Sequence, residues 1–423
     1  MTNPPRRSRL IDCLDLSMRA ARRTGWAQAP VLERRALMER ASEEAGLGDF
    51  GDDWFIEPFD RLLESIHAEA RLTPGGEWAA EQQFLKVLKD RLWAQMWFDR
   101  HPEILARPLP HPVIVVGPMR SGTTRMHRLL AADRRFSHLR SFETISPVPQ
   151  PEFEHGMPDP RVTLARRIMA VARLANPRTL TIHPTGPMEP EEELGLLVNS
   201  FWGMKHEAQW WVPGYGRWCE GHDARGAYRQ MARLLRLVGW SQQESSLRPW
   251  LLKTPQHMLD LPALLDVFPD ARLIFTHRDP LSVVGSAASL AWNQTIIYSN
   301  HADPARIGEE WLRKTRLQVE RMRAARERIP RERMIDVHYE EMERDWRTTM
   351  GRVYEFLDLD IEPALPGMQR YQRRARELKR HPHEYSLEEF GLSPRRVLEE
   401  LGDYIGAYGV ALEAAPAAIA YRS

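Results

Sequence analysis

Between positions 117 and 124 the chain reads Gly117-Pro118-Met119-Arg120-Ser121-Gly122-Thr123-Thr124, two glycines bracketing a short loop with hydroxyls behind the second. Successive backbone N–H groups in such a loop, with the first turn of a following helix, form a concavity whose partial positive charge suits phosphate or sulfate. Arg120 sits inside the loop, where a guanidinium can give two hydrogen bonds to an anionic group and neutralise charge building on a bridging oxygen during group transfer. A kinase or nucleotide hydrolase carries Lys where this chain has Thr123, and usually holds magnesium with a loop hydroxyl and a strand-ending Asp. No apolar run here ends in an Asp of that kind. The loop is therefore expected to serve a less charged group than a triphosphate, using protein cations and backbone donors, with no metal required.

A second pair of residues suits the same kind of ligand. Arg278 follows an apolar run, and Ser286 lies eight residues later, close enough for both to reach one anionic group near a helix start. Positioning these residues requires particular elements. Val113 to Val116 is a β-branched run that suits a strand buried on both faces, ending directly on Gly117. Thr123 to Ala132 has helical spacing, so the order is strand, glycine-bounded loop, helix. Trp250 to Lys253 reads as a short strand ending on a lysine, followed by a helix from Met258 to Val267. Arg272 to Thr276 reads as another strand, feeding a helix from Leu281 to Leu290. A charged helix from Arg306 to Arg328 precedes a strand at Met334 to Val337. Strands alternating with helices predict an α/β fold with a central parallel sheet covered on both faces. Residues 1–105 are predicted to be a helical extension, with apolar residues at three and four spacing in Leu32 to Ala45, Trp54 to Ala70 and Trp78 to Phe98. Residues 106–423 would form the α/β domain, with a helical insertion at about 146–248.

The two motifs together resemble the family of sulfotransferases that depend on 3'-phosphoadenosine-5'-phosphosulfate (PAPS). The stretch Val115 to Thr124 is similar to that family's 5'-phosphosulfate loop, in which Lys or Arg precedes Ser-Gly-Thr-Thr. Ile274 to Pro280, continuing to Ser286, is similar to its 3'-phosphate element. The resemblance runs over roughly Val113 to Tyr408. It implies a P-loop-like three-layer fold, PAPS as co-substrate and 3'-phosphoadenosine-5'-phosphate (PAP) as product. Gly117, Arg120, Ser121, Gly122, Thr123, Thr124, Arg278 and Ser286 would bind the donor. Trp250-Leu-Leu-Lys-Thr-Pro-Gln-His257 resembles the segment with the family's active-site lysine, implying Lys253. His338-Tyr339-Glu340-Glu341-Met342 resembles the segment whose tyrosine stacks near adenine, implying Tyr339. His381 to Leu392 resembles a C-terminal element of a bacterial-type branch.

Sulfuryl transfer needs an acceptor hydroxyl or amine to attack sulfur in line with the departing phosphate oxygen, and a base to take its proton. Glu143 is the first choice, because it follows the loop helix at a distance similar to the catalytic Glu of the tyrosylprotein branch. His257 is its rival, near the place where cytosolic members carry a catalytic His, although Pro255-Gln256 departs from their order. Arg120 and Lys253 would stabilise charge in transfer. Glu191, Glu192 and Glu193 form a further acidic cluster that a charged helix start also explains. Trp202, Trp210, Trp211, Tyr215 and Trp218 could line an acceptor pocket or fill a core. The competing readings are a P-loop kinase or nucleotide hydrolase, and an inactive PAPS-binding scaffold.

Composition narrows the partners. Across 423 residues, Lys plus Arg number 59 against 58 Asp plus Glu, which gives no basic excess for nucleic acid or an anionic membrane surface. The acceptor is expected to be a small molecule, carbohydrate or lipid. No apolar run approaches the length of a membrane span, so no stable membrane insertion is expected. Two cysteines, Cys13 and Cys219, fit a reducing compartment, and the chain reads as cytoplasmic. The Arg-rich start, Met1 to Arg23, reads as a solvated amphipathic helix in preference to a transit peptide. Self-association as a homo-oligomer is compatible with these features.

Overall fold

Four-residue runs of branched and apolar side chains make the centre of the molecule. In the computed structural model, which describes residues 7–176, 178, 185–377 and 385–413, strand β1 spans Val113–Val116 and β3 Trp250–Lys253, each buried along its whole length. β2 (Ser137–His138), β4 (Arg272–His277) and β5 (Met334–His338) complete a five-stranded sheet in the order β2-β3-β1-β4-β5. Every pairing is parallel. The predicted strands fall where expected. β2 was not foreseen, because two residues paired only with Trp250 and Leu251 carry no periodic signal.

Alternation along β1 sends its side chains into two different cores. Ile114 and Val116 join Leu252, Leu273 and Phe275 on one face, while Val113 and Val115 join Leu251, Ile274 and Val337 on the other. Each such side chain contributes roughly 1.5–3 kcal/mol on burial. The second face is covered by the helix Thr123–Leu130 through Met126, Leu129 and Leu130, and by Tyr339–Phe356 through Met342, Met350 and Val353. The first face is covered by helices of the N-terminal region and the insertion. Phe59, Phe84, Leu88 and Trp97 share one continuous core with Leu234, Leu235 and the sheet residues Ile114 and Val116. This is a three-layer P-loop-like α/β fold.

The N-terminal residues form Arg9–Arg23, Arg34–Ala45, Ile56–Ser65 and the long Pro74–Arg100. The insertion contributes Pro160–Ala175, Met204–Gln209 and Arg225–Ser241, among shorter turns. Trp202, Trp210 and Tyr215 are fully buried within the core and not within a pocket. Cys13 is exposed, Cys219 is buried, and both are free. His381, His383 and the start of the sequence up to Arg6 lie outside the described residues. Among the described residues, no helix is long and apolar enough to cross a membrane.

Because all five strands run the same way, their carboxyl ends open onto one edge of the sheet. β1 lies between β3 and β4 there, where the chain crosses from one side of the sheet to the other, the usual place for a ligand in such folds. Gly117, Lys253, Arg278 and Tyr339 each stand at or just beyond one of these strand ends.

Candidate active site

The loop leaving β1 is packed too closely for side chains at its two glycines. A Cβ at Gly117 would fall 2.1 Å from Thr276 Oγ1. At Gly122 it would fall 2.9 Å from the Tyr339 ring, and this residue has φ of 89°, in the left-handed region that glycine tolerates. Arg120 also has positive φ, 70°, a strain that persists only where the surroundings impose it. Ser121 Oγ lies 2.8 Å from Pro118 O and 2.7 Å from Thr276 Oγ1, which ties the loop to β4. The helix Thr123–Leu130 then starts with its first N–H groups facing back over the loop.

The two sequence motifs close on each other. Arg120 Nε donates to Ser286 Oγ at 3.0 Å, and Arg278 Nη1 donates to the carbonyl of Arg120 at 2.8 Å. The Arg278 guanidinium lies 3.9 Å from the centroid of the Tyr339 ring, a cation–π contact. Its remaining donors point at Glu413: Nε to Oε1 at 2.5 Å and Nη2 to Oε2 at 3.0 Å. Burial opposes the charge of Arg278, but Glu413 outweighs it and holds the guanidinium above its ordinary value. Burial likewise opposes ionisation of Glu413, and Arg278 outweighs that in turn, holding the carboxylate below the usual range.

Lys253, at the end of β3 and almost fully buried, pairs its Nζ with Glu192 and approaches Thr124 Oγ1 at 3.4 Å. The same ammonium thus touches the loop and a carboxylate. The next acidic residue serves the scaffold: Glu193 accepts the Lys253 backbone N–H at 2.8 Å and pairs with His257 Nε2. His257 Nδ1 lies 2.9 Å from the Tyr228 hydroxyl.

These contacts separate the candidate bases. Both His257 nitrogens are engaged and the ring is fully buried, away from the open site. Glu143 closes a capping box at the start of Ser141–Ile145, accepting the Arg140 N–H at 2.7 Å. Its two oxygens also take the Gln242 amide at 3.0 and 2.9 Å. Burial pushes its pKa up against the nearby Arg140 charge. The structure therefore does not bring Glu143 or His257 to the open site with Arg120, and Lys253 meets that site only through its partners Thr124 and Glu192. It brings Glu191 and Glu192 there instead.

That open site is a cavity of about 930 Å³. One wall carries Arg120, Gly122, Thr123, Thr124, Arg278 and Tyr339. Facing it are apolar side chains, among them Ile145, Ile168, Met169, Leu194, Met204 and Leu290. Such a combination orients a ligand with few polar groups and holds it with apolar area. The acidic trio Glu207, Glu220 and Glu310 lies apart from this cavity and is paired with Lys314, Arg313 and Arg217.

An anion-binding loop on a parallel sheet, joined to a strand-end arginine and a helix serine, describes a class of group-transfer proteins, and sequence comparison narrows it. The sulfotransferase family profile matches residues 112–363, and the chain belongs to that family. A curated relative, omega-hydroxy-beta-dihydromenaquinone-9 sulfotransferase Stf3 of Mycobacterium bovis, is 24% identical over 343 residues, spanning 75% of this chain and 80% of that protein. Among solved structures, sulfotransferase STF9 from Mycobacterium avium aligns with TM-score 0.81 at 26% identity, covering 92% of this chain and all of the other. Sulfotransferase STF1 from Mycobacterium tuberculosis H37Rv aligns with TM-score 0.77 at 28% identity, covering 89% of this chain and all of the other.

Proposed function

We propose that this sulfotransferase takes its sulfuryl group from PAPS and transfers it to a hydroxyl on a lipid-like acceptor. The observation that carries the donor assignment is the closure of Arg120 on Ser286 and of Arg278 on the loop carbonyl beside Tyr339. This gathers, at the edge of one loop, the groups the family resemblance gives to the 5'-phosphosulfate, the 3'-phosphate and the adenine. Thr123 and Thr124 would hold the 5' end with the loop N–H groups. The apolar wall of the cavity supports a lipid-like acceptor, as does the relative named for omega-hydroxy-beta-dihydromenaquinone-9.

Glu192 replaces Glu143 and His257 as the proposed base. It borders the cavity and its partner Lys253 also reaches the loop, so the cation can turn to the transferred group and leave the carboxylate for the acceptor. The acceptor oxygen forms the new S–O bond while its proton passes to Glu192. The S–O bond to the phosphate breaks, and its electron pair leaves with PAP. Lys253 and Arg120 offset the charge that builds on the departing oxygen.

Calorimetric titration with PAP in EDTA, beside ATP and ADP with magnesium, tests the donor assignment. PAP is expected to bind without metal, with Arg278→Ala weakening it by about tenfold or more, the value of a charge-assisted hydrogen bond. Magnesium-dependent ATP binding without PAP binding would refute the assignment. PAP binding with no transfer from PAPS to any alcohol would favour a binding scaffold.

A further inference from the structure

The apolar side of the cavity contains polar groups with no work inside the protein. Met204, Lys205, Ala208 and Gln209 of the helix Met204–Gln209 all border it. Among the described residues, Lys205 has no carboxylate partner, and the Gln209 side-chain nitrogen, on a residue only 6% exposed, has no hydrogen-bond partner. An unsatisfied buried donor such as the Gln209 nitrogen costs its desolvation. Lys205 is exposed and borders the cavity. Desolvation, helped by repulsion from Lys86, lowers its ammonium to about 8.

The acid that shares a small adjoining cavity with Lys205 is already taken. That cavity, of about 50 Å³, is also lined by Lys86, Asp90 and His206. Asp90 is bound to Lys86 at 2.6 Å, and burial keeps His206 neutral, its pKa near 3. The wall is long enough for an extended ligand. Along the helix Pro280–Tyr298, Ser286 holds Arg120, and Gln294, bordering the cavity, is eight residues on, about 12 Å of helix rise.

We propose that Lys205 and Gln209 form a subsite for an oxyanion, a carboxylate or similarly charged oxygen group, borne by the acceptor in addition to the hydroxyl that is sulfated. This rests on the sulfotransferase reading above. The acceptor class is then an apolar alcohol with an acidic group, and Lys205 is a specificity residue that leaves the donor site untouched.

Calorimetry with the full-length protein, using ω-hydroxydodecanoate and its methyl ester as probes, tests the proposal. The acid is expected to bind about tenfold tighter than the ester, as one charge-assisted contact would give. Lys205→Met should abolish this preference, Lys205→Arg should keep most of it, and Gln209→Leu should reduce it in a protein whose cation is intact. Equal binding of acid and ester, binding of neither, or a preference that survives Lys205→Met would each overturn the subsite. PAP is titrated into the same samples. Loss of PAP binding in the wild type would strike the donor reading, whereas intact PAP binding with equal acid and ester affinities would strike only the subsite.

Discussion

Removing the Glu413 carboxylate should make the protein bind PAP more tightly. Glu413 occupies two edges of the Arg278 guanidinium, at 2.5 and 3.0 Å, and accepts from Ser282 Oγ at 3.1 Å. The third edge of Arg278 is committed to the Arg120 carbonyl. A phosphate that uses Arg278 must therefore displace Glu413 and lose what that pair contributes. The side chains are 18% and 35% exposed, so solvent screens the attraction and its net value is about 1 kcal/mol, not the several that the distances alone suggest. Converted to affinity, Glu413→Ala should lower the PAP dissociation constant about fivefold. The gain should shrink as salt is raised. It should also depend on pH in one direction. Arg278 holds Glu413 below the usual carboxylate range, so the carboxylate competes at neutral pH and stops competing as acid protonates it. Titration of both proteins with PAP at two salt concentrations and at two pH values, one neutral and one acidic, reads all of this. Unchanged or weaker binding in Glu413→Ala would refute the reasoning, because Glu413 would then be holding Arg278 ready instead of occupying it.

Two further outcomes are expected. In single-turnover transfer from labelled PAPS to dodecanol, Glu192→Gln should slow the chemical step by roughly 10² to 10⁴, whereas Glu143→Ala should lose about 1 kcal/mol of stability through its cap with turnover of the folded protein changed by no more than a few-fold; the reverse pattern would restore Glu143 as the base. Stability should also fall in mild acid, because burial lowers His138 to about 4 and His206 to about 3 from 6.5. The unfolded chain takes up these protons first, so the neutral histidines favour the fold fully above about pH 6.5 and progressively less as pH falls towards their folded values. At pH 5 the loss is on the order of 2 kcal/mol for each, and a urea midpoint that does not move between pH 7 and 5 would contradict it.

The sheet could be read from the sequence because β1, β3, β4 and β5 are short apolar runs ending at turn residues. The donor loop could be read because its chemistry lies within eight consecutive positions, Gly117 to Thr124. What escaped depends on the directions in which side chains point and on contacts between distant segments. Glu143 stands three residues after Arg140, the spacing of a capping box, and that local role is the one it fills. His257 is engaged by Tyr228 and Glu193, 29 and 64 residues away. Glu413 meets Arg278 across 135 residues. The tryptophans of the insertion were as consistent with a core as with a pocket, and Trp202 and Trp210 lie in the core. Lys205 carries no sequence signal, because its distinction is the lack of a partner.

The helices before β1 have a practical consequence. The family profile begins at residue 112, which invites an expression clone trimmed to start there. Yet Phe59, Phe84, Leu88 and Trp97 complete the core beneath β1, and Lys86 and Asp90 close the corner behind Lys205. A trimmed clone would present that bare apolar face to water and precipitate, and any soluble fraction would lack the residues that adjoin Lys205 in the small neighbouring cavity. The edge of detectable likeness is not the edge of the unit that must be made in one piece.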